Sequence, residues 1–263
     1  MIAECCGDMD TSRVGFSCIS SNAKPEHWAH ELKEMGFSAW EYVADGDDSL
    51  SKERLSLLQS VKDSTHLTIT VHAPFSDLNF ASLRAGVWEL SIQSVVDTMR
   101  ALSDISEMIT VHPGHLSPYA MGMPDMAKQR LIDAMKRLSA AASDYGFKVG
   151  LENMPEFKFT FGRTRDEIEE VLGAVDSEHV GMTLDVGHAN TTRTLTDFLG
   201  CEYIVHAHIH DNHGEHDSHL TIGEGNIDWK RVMDSLSKRS IKMIVEAHTI
   251  ESGVASLRFL RSL

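Results

Sequence analysis

Six apolar runs of this chain each end at a side chain that can bind a metal ion. The residues at these ends are His72, His112, Glu152, Asp185, His208 and Glu246. Runs such as ITV and VGL are typical of buried parallel strands, and the carboxyl ends of parallel strands lie at one edge of a sheet. In a (β/α)8 barrel that edge carries the active site. The pattern therefore predicts that these distant residues lie close together.

Strand and helix signals alternate along the whole chain. Predicted strands cover residues 14–19, 38–43, 67–72, 108–112, 148–152, 180–186, 203–210 and 242–247, and predicted helices cover 25–35, 52–62, 83–102, 125–145, 165–175, 195–199, 229–238 and 254–260. Such alternation requires parallel strands with right-handed crossovers. A doubly wound open sheet is the competing architecture, but it would spread the strand-end ligands along a line. We therefore predict an α/β fold with a single TIM barrel over residues 14–263, preceded by an N-terminal extension over residues 1–13.

Alternation of side chains within the predicted strands supports a closed barrel. In the strand at 67–72, Ile69 and Val71 face the helices, while Thr70 and His72 face the interior. Across the strands, the inward positions near the carboxyl end are small or polar. This pattern is typical of a site rather than of a sealed core, and it places the predicted metal site at the C-terminal face of the strands.

Three predicted helices carry a signal at their first residues. Pro25 suits a first helical position, where its missing N–H costs nothing. Thr164 and Glu167 form a candidate capping box. Asp228 can cap the helix that begins at Trp229.

The overall charge and the cysteines narrow the function classes. The formal net charge of −15 disfavours a broad basic face for nucleic acid or for an anionic membrane. The four cysteines form no CxxC pair, and the first residues lack the basic and apolar regions of a signal peptide. No run approaches the roughly 20 apolar residues that cross a bilayer. We therefore predict a cytoplasmic protein with reduced thiols and no membrane contact.

A lone histidine is often a hydrogen-bonded core residue, so a single strand-end residue does not indicate a metal site. The strand-end residues indicate one only when they are taken together. Several carboxylates buried near one another are costly unless cations compensate them. Further candidate ligands are His188, three residues after Asp185, and the pair Asp217 and His219. The histidine-rich segment 206–219 could instead be a solvated loop that binds metal ions without forming a site. The glycines at 223–226 indicate either a simple turn or a backbone cradle for a phosphate.

The order and spacing of eight short motifs carry a family resemblance. The motifs are VHAPF at 71–75, VHPG at 111–114, LENM at 151–154, LDVGH at 184–188, HIHD at 208–211, DSH at 217–219, GEGNI at 223–227 and VE at 245–246. In these motifs the chain resembles the xylose-isomerase-like TIM barrel superfamily. That superfamily contains sugar isomerases and epimerases, and also the endonuclease IV type of apurinic-site nuclease.

The resemblance implies a set of ligands for divalent metal. In the sugar epimerases one ion, such as Mn2+, Mg2+, Co2+ or Zn2+, is bound by four residues that match Glu152, Asp185, His208 and Glu246. In the nuclease these four hold one zinc ion of three, and the remaining ligands match His72, His112, His188, Asp217 and His219. All of these positions carry the right residue type, so the resemblance implies one to three metal ions per chain.

Two departures from the nuclease pattern disfavour DNA as a partner. The segment at 43–48, where the nuclease has an Arg-bearing loop, is short and acidic here. The segment after HIHD is acidic and histidine-rich where the nuclease is basic. Acidic groups at these places would repel phosphates.

We therefore predict a divalent-metal-dependent isomerase or epimerase of a sugar or sugar phosphate, which transfers protons through an enediolate. On this prediction Glu152 and Glu246 exchange protons with the substrate and His188 holds a hydroxyl group. A phosphorylated substrate would need nearby cations, for which Lys158, Arg163 and Arg193 are loop candidates. The main alternative is a trinuclear-zinc phosphodiesterase, and a non-catalytic ligand-binding barrel is the least favoured. Many barrels of this type pair, so a homodimer is also expected.

Overall fold

Eight parallel strands form a closed barrel in chain order, and the first strand pairs with the last. The computed structural model describes residues 9–18, 28–47 and 49–263. The strands are β1 Val14–Cys18, β2 Ala39–Val43, β3 Thr68–His72, β4 Met108–Val111, β5 Lys148–Glu152, β6 Val180–Asp185, β7 Ile204–Ile209 and β8 Met243–Ala247. With helices between the strands, this topology confirms the predicted (β/α)8 fold. Residue 19 of the first predicted strand lies outside the described residues.

The helices lie outside the barrel, between successive strands. They are α1 Leu32–Met35, α2 Lys52–Thr65, α3 Ala85–Leu102, α4 Pro124–Tyr145, α5 Arg165–Val175, α6 Val186–Thr191, α7 Leu195–Leu199, α8 Trp229–Leu236 and α9 Ile250–Arg261. The sequence prediction missed α6, because VGHANT is too short to show an apolar period. The prediction also began the last helix too late, at residue 254. The helix begins at Ile250, directly after Thr249, which forms a capping box with Ser252. Residues 25–27, including Pro25, lie outside the described part of the chain.

Two of the predicted helix caps are present. The Thr164 hydroxyl accepts a hydrogen bond from the Glu167 N–H at 3.3 Å. The Glu167 carboxylate accepts from the Arg163 N–H instead of completing the box, so only half of the predicted capping box forms. Asp228 accepts from the Arg231 N–H at 3.1 Å and caps α8 as predicted.

The barrel has an apolar outer layer and a polar interior. Val71, Leu151 and Leu184 are buried between strands and helices, as the strand alternation predicts. In the interior, the Thr110 hydroxyl lies 2.9 Å from the Thr183 hydroxyl. The polar interior continues to the carboxyl end of the strands, where the candidate ligands lie. Within the described ranges, no helix is both long enough and apolar enough to cross a membrane.

Candidate metal centre

Four ligand-type side chains from consecutive strands meet at the carboxyl end of the barrel. His208 Nδ1 lies 2.9 Å from Glu152 Oε1 and 3.3 Å from Glu246 Oε1. The register pairs Asp185 of β6 directly with His208 of β7. All four side chains are buried. We call Glu152, Asp185, His208 and Glu246 the strand cluster.

The strand cluster has the donor atoms that a divalent cation needs. Glu152 Oε2 and Asp185 Oδ2 are buried, and neither makes a hydrogen bond to a described residue. Leaving buried carboxylate oxygens without partners is costly. Two ligand atoms that bind one ion at about 2.1 Å, with an angle of about 90° at the ion, lie roughly 3 Å from each other. The distances from His208 Nδ1 to Glu152 Oε1 and Glu246 Oε1, 2.9 Å and 3.3 Å, match this spacing. These residues therefore fit a divalent metal.

His72 and His112 approach the strand cluster from the neighbouring strands. Their Nε2 atoms lie 3.6 Å and 3.1 Å from Glu152 Oε2. His72 Nδ1 lies 2.9 Å from the Ala73 carbonyl oxygen, which leaves Nε2 to face Glu152. Because both imidazoles face one carboxylate oxygen, these three residues form a second possible metal-binding group.

A separate group of ligand-type side chains lies beside the strand cluster. His188 Nε2 and His219 Nε2 lie 3.1 Å and 3.3 Å from Asp217 Oδ2. His210 Nε2 lies 3.4 Å from Asp217 Oδ1, and the rings of His210 and His219 stack with centroids 3.8 Å apart. We call His188, His210, Asp217 and His219 the loop cluster. The structure therefore brings all nine predicted ligands into one region, and it adds His210.

Hydrogen bonds to the backbone orient the residues that link the two clusters. Asp185 Oδ1 caps α6 by accepting from the His188 N–H at 2.7 Å, while Asp185 Oδ2 is buried without a hydrogen-bond partner among the described residues. His188 Nδ1 donates to the Asn153 carbonyl at 2.7 Å, which directs Nε2 toward Asp217. The Asn153 side chain bonds both the N–H and the C=O of Asp185. The three-residue spacing of Asp185 and His188 thus reflects a helix cap as well as two candidate ligands.

The sequence analysis missed three side chains of this region: Glu41, His206 and His210. Glu41 and His206 lie in the barrel interior below the strand cluster, where His206 Nε2 is 2.9 Å from Glu41 Oε2. Their signals were present, because Glu41 interrupts an apolar strand and His206 shares the inner face of β7 with His208. His210 requires Gly187 beside it, since a Cβ at that position would lie 1.9 Å from the His210 ring.

Electrostatic interactions fix the charges in the metal-free protein. Burial disfavours ionisation of Glu152, but His208 and His112 outweigh it and hold the pKa of this carboxyl well below its usual range. Burial likewise disfavours protonation of His188, but Asp185 and Asp217 outweigh it and raise its pKa to about 10. Glu152 is therefore an ionised carboxylate, which suits both a metal ligand and a base.

A cavity of ≈ 350 Å³ opens above the two clusters. Glu152, Glu246 and His188 line it from below, and Phe75 and Phe157 contribute apolar surface. Among the described residues that line it there is no lysine or arginine. Lys158 and Arg163, predicted as phosphate partners, line a neighbouring cavity, and Arg193 lines neither. The volume suits a small molecule.

The glycine-containing segment at 223–226 forms a turn. The Gly223 N–H donates to Asp211 Oδ2 at 2.9 Å, and the Asn226 N–H donates to the Asn212 carbonyl at 3.0 Å. These amides serve the loop itself, as the turn interpretation expects. The phosphate-cradle alternative would need them to face a ligand.

With this fold and site, the chain belongs to the family of xylose isomerase-like TIM barrels, whose model matches residues 29–263. It is similar to the uncharacterized protein MJ1311 of Methanocaldococcus jannaschii, at 34% identity over 88% of this chain and 82% of that protein. It is also similar to a solved structure of a D-tagatose 3-epimerase-like protein. That comparison has a TM-score of 0.85 and 32% identity, and covers 95% of this chain and 96% of the other.

The nuclease branch of the family is represented as well. The chain is similar to the Probable endonuclease 4 of Acholeplasma laidlawii, at 23% identity over 67% of this chain and 65% of that protein. Membership of the superfamily, predicted from the motifs, is confirmed.

Proposed function

We propose that this protein is a divalent-metal-dependent isomerase or epimerase of sugars. The observation that carries the proposal is that Glu152 and Glu246 both approach His208 Nδ1 and both line the same cavity. Two carboxylates at one cavity can remove a carbon-bound proton and return it. The similarity to a D-tagatose 3-epimerase-like protein favours a ketose as substrate.

The residues of the chain would divide the reaction between them. Glu152 and Glu246 would face the substrate, one taking the proton next to its carbonyl group and the other supplying a proton. His188, which Asn153 and Asp217 orient, would hold a substrate hydroxyl. A divalent ion bound by Glu152, Asp185, His208 and Glu246 would stabilise the negative charge that develops on the substrate oxygens. Phe75 and Phe157 would limit the access of water.

Exchange of solvent deuterium tests this proposal. D-tagatose, other ketoses and their phosphates are incubated with the protein in deuterium oxide, with Mn2+ or with a chelator. We expect deuterium at the carbon beside the carbonyl of at least one ketose, loss of exchange with chelator, and recovery on addition of Mn2+. Absence of exchange with every ketose in Mn2+-loaded protein would contradict the proposal.

The second candidate function is a zinc phosphodiesterase of the endonuclease IV type. It is favoured by the contacts of His72 and His112 with Glu152, and by the loop cluster, which together extend the ligand set beyond one ion. The acidic side chain of Asp45, which lines the cavity, disfavours a DNA substrate. Cleavage of an abasic-site duplex that requires zinc and Glu152 would select this function instead. A cytoplasmic location and a homodimer stay predictions.

A further inference from the structure

Glu41 is a buried carboxylate that the proposed reaction does not use. It lies on β2 with 1% of its surface exposed, in a strand that is otherwise apolar. Its Oε2 atom accepts a hydrogen bond from the Thr70 hydroxyl at 2.9 Å and lies 2.9 Å from His206 Nε2. Two donors therefore occupy Oε2, and Oε1 is left to face His208.

His208 lies between Glu41 and two carboxylates of the strand cluster, those of Glu152 and Glu246. Its Nε2 atom is 2.8 Å from Glu41 Oε1, and its Nδ1 atom donates a hydrogen bond to Glu152 Oε1 at 2.9 Å. Glu41 Oε1 and His208 Nε2 are buried, and neither is aligned for a hydrogen bond with any residue that the structure describes. One nitrogen of this imidazole thus faces Glu41, and the other faces the carboxylates of the candidate metal site.

We propose that Glu41 is a positioning residue: when a cation replaces the hydrogen on His208 Nδ1, Glu41 holds the remaining hydrogen on Nε2 and so leaves the Nδ1 lone pair for the metal ion. A neutral imidazole has one donor nitrogen and one acceptor nitrogen. An ionised carboxylate only accepts, so Glu41 selects Nε2 as the donor. With the hydrogen on Nδ1, His208 donates to Glu152 and cannot bind a cation. The inference rests on the proposed function, because it assumes a cation at the strand cluster.

Two observations distinguish this role from a purely structural one. Replacing buried ionic groups by apolar side chains of similar volume is often neutral or stabilising, and Thr70, the cross-strand partner of Glu41, carries no charge. Carboxylates that orient metal-binding histidines are common, and their loss typically weakens metal binding. Glu41 occupies the position that such a carboxylate needs.

The substitution Glu41→Gln tests the proposal, because the hydrogen-bond pattern predicts how the amide will lie. Thr70 and His206 both donate toward the Oε2 position, so the amide oxygen will occupy that position. The amide NH2 group will then face His208 Nε2, make that nitrogen an acceptor and move the hydrogen to Nδ1. We expect metal-free Glu41→Gln to bind Mn2+ about 10- to 100-fold more weakly than wild type in calorimetric titrations.

Thr70→Val is the matched control, because it removes one hydrogen bond to Glu41 and keeps its charge. We expect it to weaken Mn2+ binding by less than about fivefold. Equal Mn2+ affinity in wild type and Glu41→Gln would overturn the inference, whatever happens to thermal stability. If Glu41→Gln does not fold, Glu41→Asp withdraws the carboxylate from His208 and is expected to show the same weakening.

Nitrogen-15 spectra of the histidine rings give a readout that does not depend on variants. In Mg2+-loaded wild type we expect His208 to carry hydrogen on Nε2, and hydrogen on Nδ1 would overturn the inference. Failure of the proposed function is a separate result. A wild-type protein that binds no divalent ion overturns both proposals, whereas a metal-binding wild type with an unaffected Glu41→Gln variant overturns only this one.

Discussion

The strand cluster and the loop cluster lie side by side but are held by different kinds of backbone. Glu152, Asp185, His208 and Glu246 sit at the ends of four hydrogen-bonded strands, so the barrel fixes their spacing. In the loop cluster, Asp217 and His219 belong to the irregular segment between β7 and α8, and His219 has a positive φ of 44°. Such a backbone conformation is uncommon for a residue with a side chain.

This difference suggests different roles for the two clusters. A site on adjacent strands is preorganised by the fold and suits the reaction itself. A site that takes ligands from a loop depends on that loop being in place. Asp211 provides the anchor, because its carboxylate accepts from the Gly223 N–H and from the Trp229 indole at 2.9 Å and 2.8 Å. Substitutions in the two clusters should therefore differ in both size and kind of effect.

The largest effect is expected in the strand cluster. Glu152→Gln should lower the deuterium exchange rate with a ketose roughly 10³-fold, because it removes both a base and a charged ligand. The measurement is exchange under saturating Mn2+. Glu170→Gln, on the exposed surface of α5, is the matched control and should leave the rate unchanged. A small effect of Glu152→Gln would remove the distinction between the two clusters.

A smaller effect is expected in the loop cluster. Asp217→Asn should lower the exchange rate about tenfold, because His188 loses the carboxylate that lies 3.1 Å from its Nε2 atom. The measurement is the exchange rate with a ketose. Glu215→Gln, which changes an exposed side chain of the same loop, is the control and should leave the rate unchanged. A loss as large as that of Glu152→Gln would show that both clusters are needed for the reaction, as the nuclease-type reading requires.

Anchoring of the loop should affect stability more than chemistry. Asp211→Asn should lower the free energy of unfolding by about 2–3 kcal/mol, because a buried charged acceptor is lost. Denaturant titration checks this value. Asp228→Asn is the control, since asparagine also caps a helix and should change stability by only a few tenths of a kcal/mol. Equal stability of the two variants would contradict the anchoring role.

The smallest effect concerns pH. In the metal-free protein, carboxylates outweigh burial and raise the pKa of His188 to about 10 and that of His219 to about 8. A raised pKa stabilises the fold below the ordinary value of 6.5, and this stabilisation is lost as the pH rises through the folded values. Metal binding requires neutral imidazoles and therefore strengthens as pH rises. The melting temperature of metal-free protein should fall between about pH 7 and pH 10. The difference in melting temperature between metal-loaded and metal-free protein should widen over the same range. A difference in melting temperature that stays constant with pH would contradict this prediction.

The sequence predicted the barrel and the strand cluster for the same reason. Apolar runs with a period of two identify strands, and parallel strands in chain order bring their carboxyl ends together. The six ligand-type residues at these strand ends therefore converge once the fold is known. Bounds at element ends were less predictable because they depend on caps. Asp185, for example, ends β6 and caps α6, whereas the prediction extended the strand to Val186, the first residue of that helix.

The remaining residues could not be predicted because they depend on contacts rather than on pattern. Glu41 is one polar residue in an apolar strand, and only the barrel closure shows that it lies 2.8 Å from His208. His210 follows β7, and its place in the loop cluster depends on the path of the loop up to His219. Irregular segments have no period from which such a path follows.

Crystals soaked in Mn2+ and measured at an anomalous wavelength test the central claim most directly. We expect one strong peak at roughly 2.2 Å from ligand atoms of Glu152, Asp185, His208 and Glu246, with His208 bound through Nδ1. The same experiment with an Asp185→Asn crystal should show a much weaker peak. A wild-type crystal with no peak at the strand cluster, or with manganese only at the loop cluster, would contradict the account.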